Sequence, residues 1–141
     1  VNFFSQSFRH RWTVTLDGEA TEGDYALVSV CNGRHYGGGS TPVPEARMDD
    51  GVLNTILIRK ISKAAFVRLF SVYSAGNYRQ LPHIARSMTA REIRIQSNNE
   101  EIVTCLDGEC FRSREVVLRL ADKRVNFFAP PGCDPNATAR P

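Results

Sequence analysis

Only one stretch of this chain carries the periodicity of a helix, and that limits the fold more than any other feature. Between Ser62 and Gly76, the residues Phe66, Leu69, Phe70 and Tyr73 recur at the i, i+3, i+4, i+7 spacing of an apolar stripe. Ser62 offers an N-cap hydroxyl and Gly76 a stop, so a helix is expected at about 62–75 with its stripe lying on a sheet. Elsewhere the apolar residues alternate, or run in short β-branched blocks between turn residues. Without a regular alternation of strands and helices, a doubly wound parallel sheet is disfavoured. The expected fold class is mainly β, a two-sheet β-sandwich with one principal helix.

The strands are expected at 11–16, 25–32, 52–60, 92–96, 101–106, 115–120 and 124–129. In the first, Trp12, Val14 and Leu16 share one face and Thr13 and Thr15 the other, the period of two of a half-buried strand. Pro82 precedes a weaker, helix-like turn at 83–87. Between Arg34 and Met48 the chain holds Gly37, Gly38, Gly39, Pro42 and Pro44, which rules out helix and interior strand and points to a long surface loop. A chain of 141 residues suits one domain. Residues 1–133 are expected to form it, with 134–141 a flexible tail.

The apolar runs stop at four or five residues, against the roughly 20 that a membrane-spanning helix needs. Eighteen Lys and Arg against fifteen acids give a net charge of +3, too small a surplus to indicate nucleic acid, and none is expected as a partner. The four cysteines lack the spacing of a zinc site or a disulfide scaffold, so a cytoplasmic setting is expected. Arg9, His10 and Arg11 beside Phe3, Phe4 and Phe8 could touch anionic lipid headgroups, although a solvated start of the first sheet explains them as well.

Asp-Gly-Glu occurs twice, at 17–19 and 107–109. Asp-Gly is a strong signal for a type I′ hairpin turn, and a plain turn accounts for either copy. At 107–109, between two strand-like runs, two carboxylates on a rigid tip could also take a proton from a hydroxyl or hold magnesium beside phosphates. With a two-residue loop, Leu106 and Glu109 close the hairpin and Cys105 faces Cys110 in a non-hydrogen-bonded pair. That separation is compatible with a disulfide, while a reducing cytoplasm favours two free thiols. Asp49-Asp50-Gly51 is likewise either a turn or part of an oxygen-ligand site for a hard cation. The triple glycine lacks the Gly-Lys-Ser/Thr of a P-loop.

The order of these features carries more than any one of them. A strand ending in Asn32-Gly33, then Tyr36-Gly37-Gly38-Gly39, Pro44, Ala46, Asp49-Asp50-Gly51-Val52-Leu53, a helix with Gly76 and a late Asp107-Gly108-Glu109 resembles the C-terminal domain of the diacylglycerol kinase and sphingosine kinase-like lipid kinases, especially the bacterial soluble type. The resemblance runs from about Tyr25 to Pro131. It implies the second half of a two-domain enzyme that transfers the γ-phosphoryl of ATP, as its Mg²⁺ complex, to a lipid hydroxyl such as that of diacylglycerol. It further implies that Asp107 handles the acceptor proton, that Glu109 organises magnesium and phosphates, and that Asp50 holds a structural Mg²⁺ with carbonyls of Arg47 and Val52. The family's Gly-Gly-Asp-Gly nucleotide motif does not occur in this sequence. ATP would thus be bound mainly by an N-terminal domain, and this chain alone would be inactive. Contact with the inner face of a membrane and a homodimer are compatible with the resemblance. The rival expectation is a non-catalytic β-sandwich that binds lipid or protein through the loop at 34–48. Phe66, Phe70 and Tyr73 are expected to pack on the sheet rather than to line a lipid pocket.

Overall fold

The structure, a computed structural model, describes residues 10–35, 39–123, 125, 126, 128 and 130–133. Eight strands and one α-helix are present among them: β1 (His10–Leu16), β2 (Glu19–Cys31), β3 (Leu53–Arg59), α1 (Lys63–Ser74), β4 (Ala85–Ala90), β5 (Glu92–Gln96), β6 (Ile102–Leu106), β7 (Glu109–Ser113) and β8 (Glu115–Arg119). Six strands form one antiparallel sheet in the order β4-β3-β2-β1-β5-β8, and β6 pairs with β7 in a second, two-stranded sheet. This is the mainly β, two-sheet architecture with a single helix.

The alternation expected of β1 sets the register of one core. Val14 pairs with Ile95, which pairs with Val116, and Leu16 pairs with Ile93, which pairs with Leu118, so two apolar rows cross three strands. Trp12, Leu53, Leu57 and Ile102 join them. A second core lies on the other face, where Ile56 and Ile58 meet Tyr73, Tyr78, Val43 and Ala46. Strand β3 is therefore buried on both sides, as its near-continuous apolar run requires. A bulge between Tyr25 and Leu27 resets the alternation of β2, so that Tyr25, Val28 and Val30 all serve the first core.

Helix α1 begins where Ser62 accepts a hydrogen bond from the Ala65 amide at 3.2 Å. It ends in a Schellman motif: the Asn77 amide donates to the Val72 carbonyl and the Gly76 amide to the Tyr73 carbonyl, with Gly76 at φ 75°. Tyr73 is buried, but Phe70 is 52% exposed, so the stripe meets the sheet along one edge only.

Several expectations need correction. The described part of the segment at 34–48 is irregular as expected but does not stay on the surface, because Pro42 is buried and Val43 and Ala46 enter the second core. Proline has no amide to satisfy, and the Thr41 amide donates to the Ser74 carbonyl while the Ala46 amide donates to the Val43 carbonyl, which lets this backbone lie inside. The helix-like turn comes earlier, as a 3-10 turn at Tyr78–Gln80, and 85–90 is strand, with Ala, Arg, Ser, Met and Thr recruited by pairing with β3. Strand β2 starts six residues sooner than Tyr25, at Glu19, directly after the Asp17-Gly18 turn. Val125, Asn126 and Phe128 are not in a strand, and the rest of 124–129 lies outside the described residues, as do Phe3, Phe4, Phe8, Arg9, Tyr36, Gly37, Gly38 and the tail at 134–141. Of the basic start, His10 bonds Glu100 at 2.6 Å and stacks on Trp12, and Arg11 pairs with Glu22 at 2.7 Å. No described helix is long and apolar enough to cross a membrane.

Candidate functional site

The two Asp-Gly-Glu copies fold alike. Asp17 and Gly18 sit at φ 47° and 93°, Asp107 and Gly108 at φ 48° and 96°, both with the paired positive values of a type I′ turn. Their aspartates are used in opposite ways. The Asp17 carboxylate accepts hydrogen bonds from the Arg91 amide at 2.9 and 3.1 Å and from the Glu92 amide at 2.8 Å, which fixes the corner between β4 and β5. Asp107 and Glu109 are exposed, and neither side chain forms a hydrogen bond or ion pair with any described residue. One copy is part of the scaffold. The other presents two uncommitted carboxylates to solvent.

The hairpin that carries them is anchored at its base and free at its tip. Ile102 inserts into the first core, the Ser97 amide donates to the Arg114 carbonyl, and Ser113 Oγ donates to the Glu115 carbonyl. The register is Ile102↔Ser113, Thr104↔Phe111, Cys105↔Cys110 and Leu106↔Glu109. Leu106, Phe111 and Glu109 therefore share one face, and Cys105 and Cys110 the other. The two cysteines, 4.2 Å apart at Cα, form a disulfide, so the pairing deduced from the turn holds while the free thiols favoured by a reducing setting are not what the structure contains.

The second candidate group is one turn. Asp50 accepts a hydrogen bond from the Val52 amide at 3.1 Å, Gly51 takes φ 77°, and Arg47 pairs with Asp49 at 3.1 and 3.3 Å. The Asx turn holds one oxygen of Asp50 and leaves its other oxygen outside that bond. A single carboxylate with neighbouring carbonyls is an oxygen donor set, which fits a hard cation. Among the described residues no cluster of three or more His, Cys, Asp and Glu forms a metal site. No hydrogen bond or ion pair links Asp107 or Glu109 to this turn.

One participant escapes sequence reasoning. Tyr78 is buried, donates its hydroxyl to Glu45 Oε1, and so ties the 3-10 turn to the segment that ends in Asp50; Arg79 adds a 3.2 Å contact to the same oxygen. Burial, then the Glu45 bond, pushes the Tyr78 phenol up from its ordinary value. An apolar hollow lies beside it, lined by Ile58, Phe66, Phe70, Tyr73, Leu81 and Ile84 among others. Phe66, Phe70 and Tyr73 thus line this hollow, and of the three only Tyr73 is buried in the second core, so the expectation that all three pack on the sheet is met by Tyr73 alone.

Fold and hairpin together define a β-sandwich domain with two exposed carboxylates at a hairpin tip. Residues 5–128 match the profile of the YegS C-terminal NAD kinase beta sandwich-like domain, and the chain belongs to that family. A Stenotrophomonas maltophilia protein named "Probable lipid kinase YegS-like" is 28% identical over 86% of this chain and 40% of its own length. A Xanthomonas oryzae pv. oryzae protein of the same name is 28% identical over 79% of this chain and 36% of its length. The fold is also that of a diacylglycerol kinase from Bacillus anthracis, with a TM-score of 0.59 at 22% identity over 77% of this chain and 39% of that one. The chain spans about two fifths of the length of the relatives it matches.

Proposed function

We propose that this chain is the C-terminal domain of a lipid kinase and that Asp107 and Glu109 complete a composite site with a nucleotide-binding domain elsewhere in the protein. The observation that carries the reading is the contrast between the two Asp-Gly-Glu turns. The two turns share one backbone geometry, yet Asp17 is held by two backbone amides whereas Asp107 bonds to no described residue. Membership of the YegS C-terminal family and the names of the relatives support a lipid kinase, and the chemistry read here is phosphoryl transfer from ATP to a lipid hydroxyl, diacylglycerol being the first acceptor to try.

Phosphoryl transfer needs positioning and charge neutralisation more than covalent chemistry. Asp107, at the turn, is the group to accept the proton of the acceptor hydroxyl as attack proceeds. Glu109, the first residue of β7, is held by the ladder and is the group to orient magnesium-bound phosphates. Mg²⁺, when bound, would neutralise the phosphate charge. At the second turn, Asp50 with carbonyls of Arg47 and Val52 would hold a structural Mg²⁺ that stiffens the segment packed on α1. Contact with a membrane surface brings the acceptor within reach, and a homodimer is compatible with it.

Charge-neutral changes in the full-length protein test the reading. Asp107→Asn and Glu109→Gln should each lower transfer by 10²-fold or more, on the order expected for general-base and charge-stabilising groups, with unchanged unfolding midpoints. Unchanged transfer in both variants would indicate instead a non-catalytic binding module.

A further inference from the structure

The two-stranded sheet bearing Asp107 and Glu109 is the least supported part of the fold. Within β6 and β7 only Ile102 is buried, and Val103, Leu106 and Phe111 are 44%, 52% and 44% exposed. A lone hairpin of this kind is marginal in water. Beyond its anchored base, its far end is held by the type I′ turn and by the Cys105–Cys110 disulfide, whose two residues are exposed to solvent.

The enclosed loop is only four residues long, so the cross-link restricts the unfolded chain less than a distant pairing would. Its larger effect is on the native tip. Leu106, Asp107, Gly108 and Glu109 are the residues between the two sulfurs, and they include both carboxylates of the proposed site. We infer that Cys105 and Cys110 are a reversible thiol–disulfide pair that positions Asp107 and Glu109. This role rests on the reading of those two residues given above, but the redox behaviour of the hairpin can be measured apart from it.

The exchange needs only thiols and disulfides. A thiolate of a dithiol reductant attacks one sulfur of the pair, the Cys105–Cys110 bond breaks, and the other cysteine leaves as a thiolate and takes a proton. The second thiol of the reductant then attacks the mixed disulfide. Two cysteine thiols and an oxidised, cyclic disulfide of the reductant result, with two electrons transferred. A small-molecule disulfide reverses the sequence. The remaining cysteines differ in kind. Cys31 is buried, its thiol pushed up by burial, and Cys133 is exposed.

The test uses the full-length protein carrying Cys133→Ser, equilibrated in graded mixtures of reduced and oxidised dithiothreitol and then alkylated. Mass analysis of the 102–113 segment should show zero labels at the oxidised end and two at the reduced end, appearing together. Backbone hydrogen exchange at 104–111 should become about tenfold faster on reduction. Transfer should lose about ten- to a hundredfold in kcat with KM for ATP unchanged, since displaced groups lose positioning rather than nucleotide affinity. Oxidised glutathione should restore it, and the Cys105→Ser/Cys110→Ser variant should show the reduced rate at every poise. Permanent labelling by two alkyl groups, or equal exchange and equal kcat in both states, overturns the inference. If the protein phosphorylates no lipid in either state, the kinase reading fails separately, and exchange at the Asp107 and Glu109 amides decides the positioning claim.

Discussion

Exchanging the two turn aspartates in parallel should separate scaffold from site. Asp17→Asn keeps the size and the tolerance for φ 47° but removes the charge that receives the Arg91 and Glu92 amides. Hydrogen bonds to a charged acceptor are worth about 1.5–3 kcal/mol each when removed outright. At an exposed corner, with the amide oxygen of asparagine still accepting, a net loss of about 1–2 kcal/mol is expected. That corresponds to roughly 3–7 °C in Tm for a domain of this size. Asp107→Asn has the same backbone geometry and no partner among the described residues to lose, so its stability should stay within about 0.5 kcal/mol of the parent. Urea unfolding of the full-length protein, followed by circular dichroism, gives both values, and phosphoryl transfer measured on the same samples gives the complementary ranking. Equal destabilisation by the two changes would refute the reasoning, as would an inactive Asp17→Asn protein of normal stability.

Other outcomes follow from particular contacts. Gly76→Ala should cost about 1–3 kcal/mol, because its Cβ would meet the Pro44 ring and approach the Thr41 carbonyl oxygen to 2.6 Å at a positive φ; thermal unfolding measures it. Thr55 is fully buried on β3, and its Oγ1 has no partner among the described residues, so Thr55→Val should stabilise by about 1 kcal/mol on the same assay. Burial raises the Cys31 thiol and the Tyr25 and Tyr78 phenols above ordinary values of 9.0 and 10.0. The folded state therefore keeps these protons longer than the unfolded state, and stability should be full below those values and fall as pH rises through the raised ones. A urea midpoint that is flat or rising across that alkaline window would contradict the assignment.

The parts of the fold legible in the sequence were those where local pattern and tertiary demand agree. Trp12, Val14 and Leu16 alternate and do face one core, and the Ser62 cap and Gly76 stop bound α1 within a residue or two. Strand β4 was hidden because Ala85–Ala90 has little β propensity of its own and is shaped by its pairing with β3. The burial of Pro42 and Val43 was hidden for a related reason: turn residues signal loop chemistry, and only the helix end that receives Thr41 shows where the loop goes. At the site, register alone put Cys105 opposite Cys110. The order of the surrounding motifs singles out 107–109 and leaves 17–19 a plain turn, but that Asp17 is engaged could not be read from the shared tripeptide, since its partners are amides more than seventy residues away.

The central claim is that this domain folds as a sandwich but holds only part of a catalytic site. Its most direct measurement compares the isolated chain with the full-length protein, each given ATP, Mg²⁺ and diacylglycerol, after circular dichroism has confirmed the β-sheet of the isolated chain. The account predicts lipid phosphorylation by the full-length protein and none above background by the folded isolated chain. Comparable turnover by the isolated chain would contradict it.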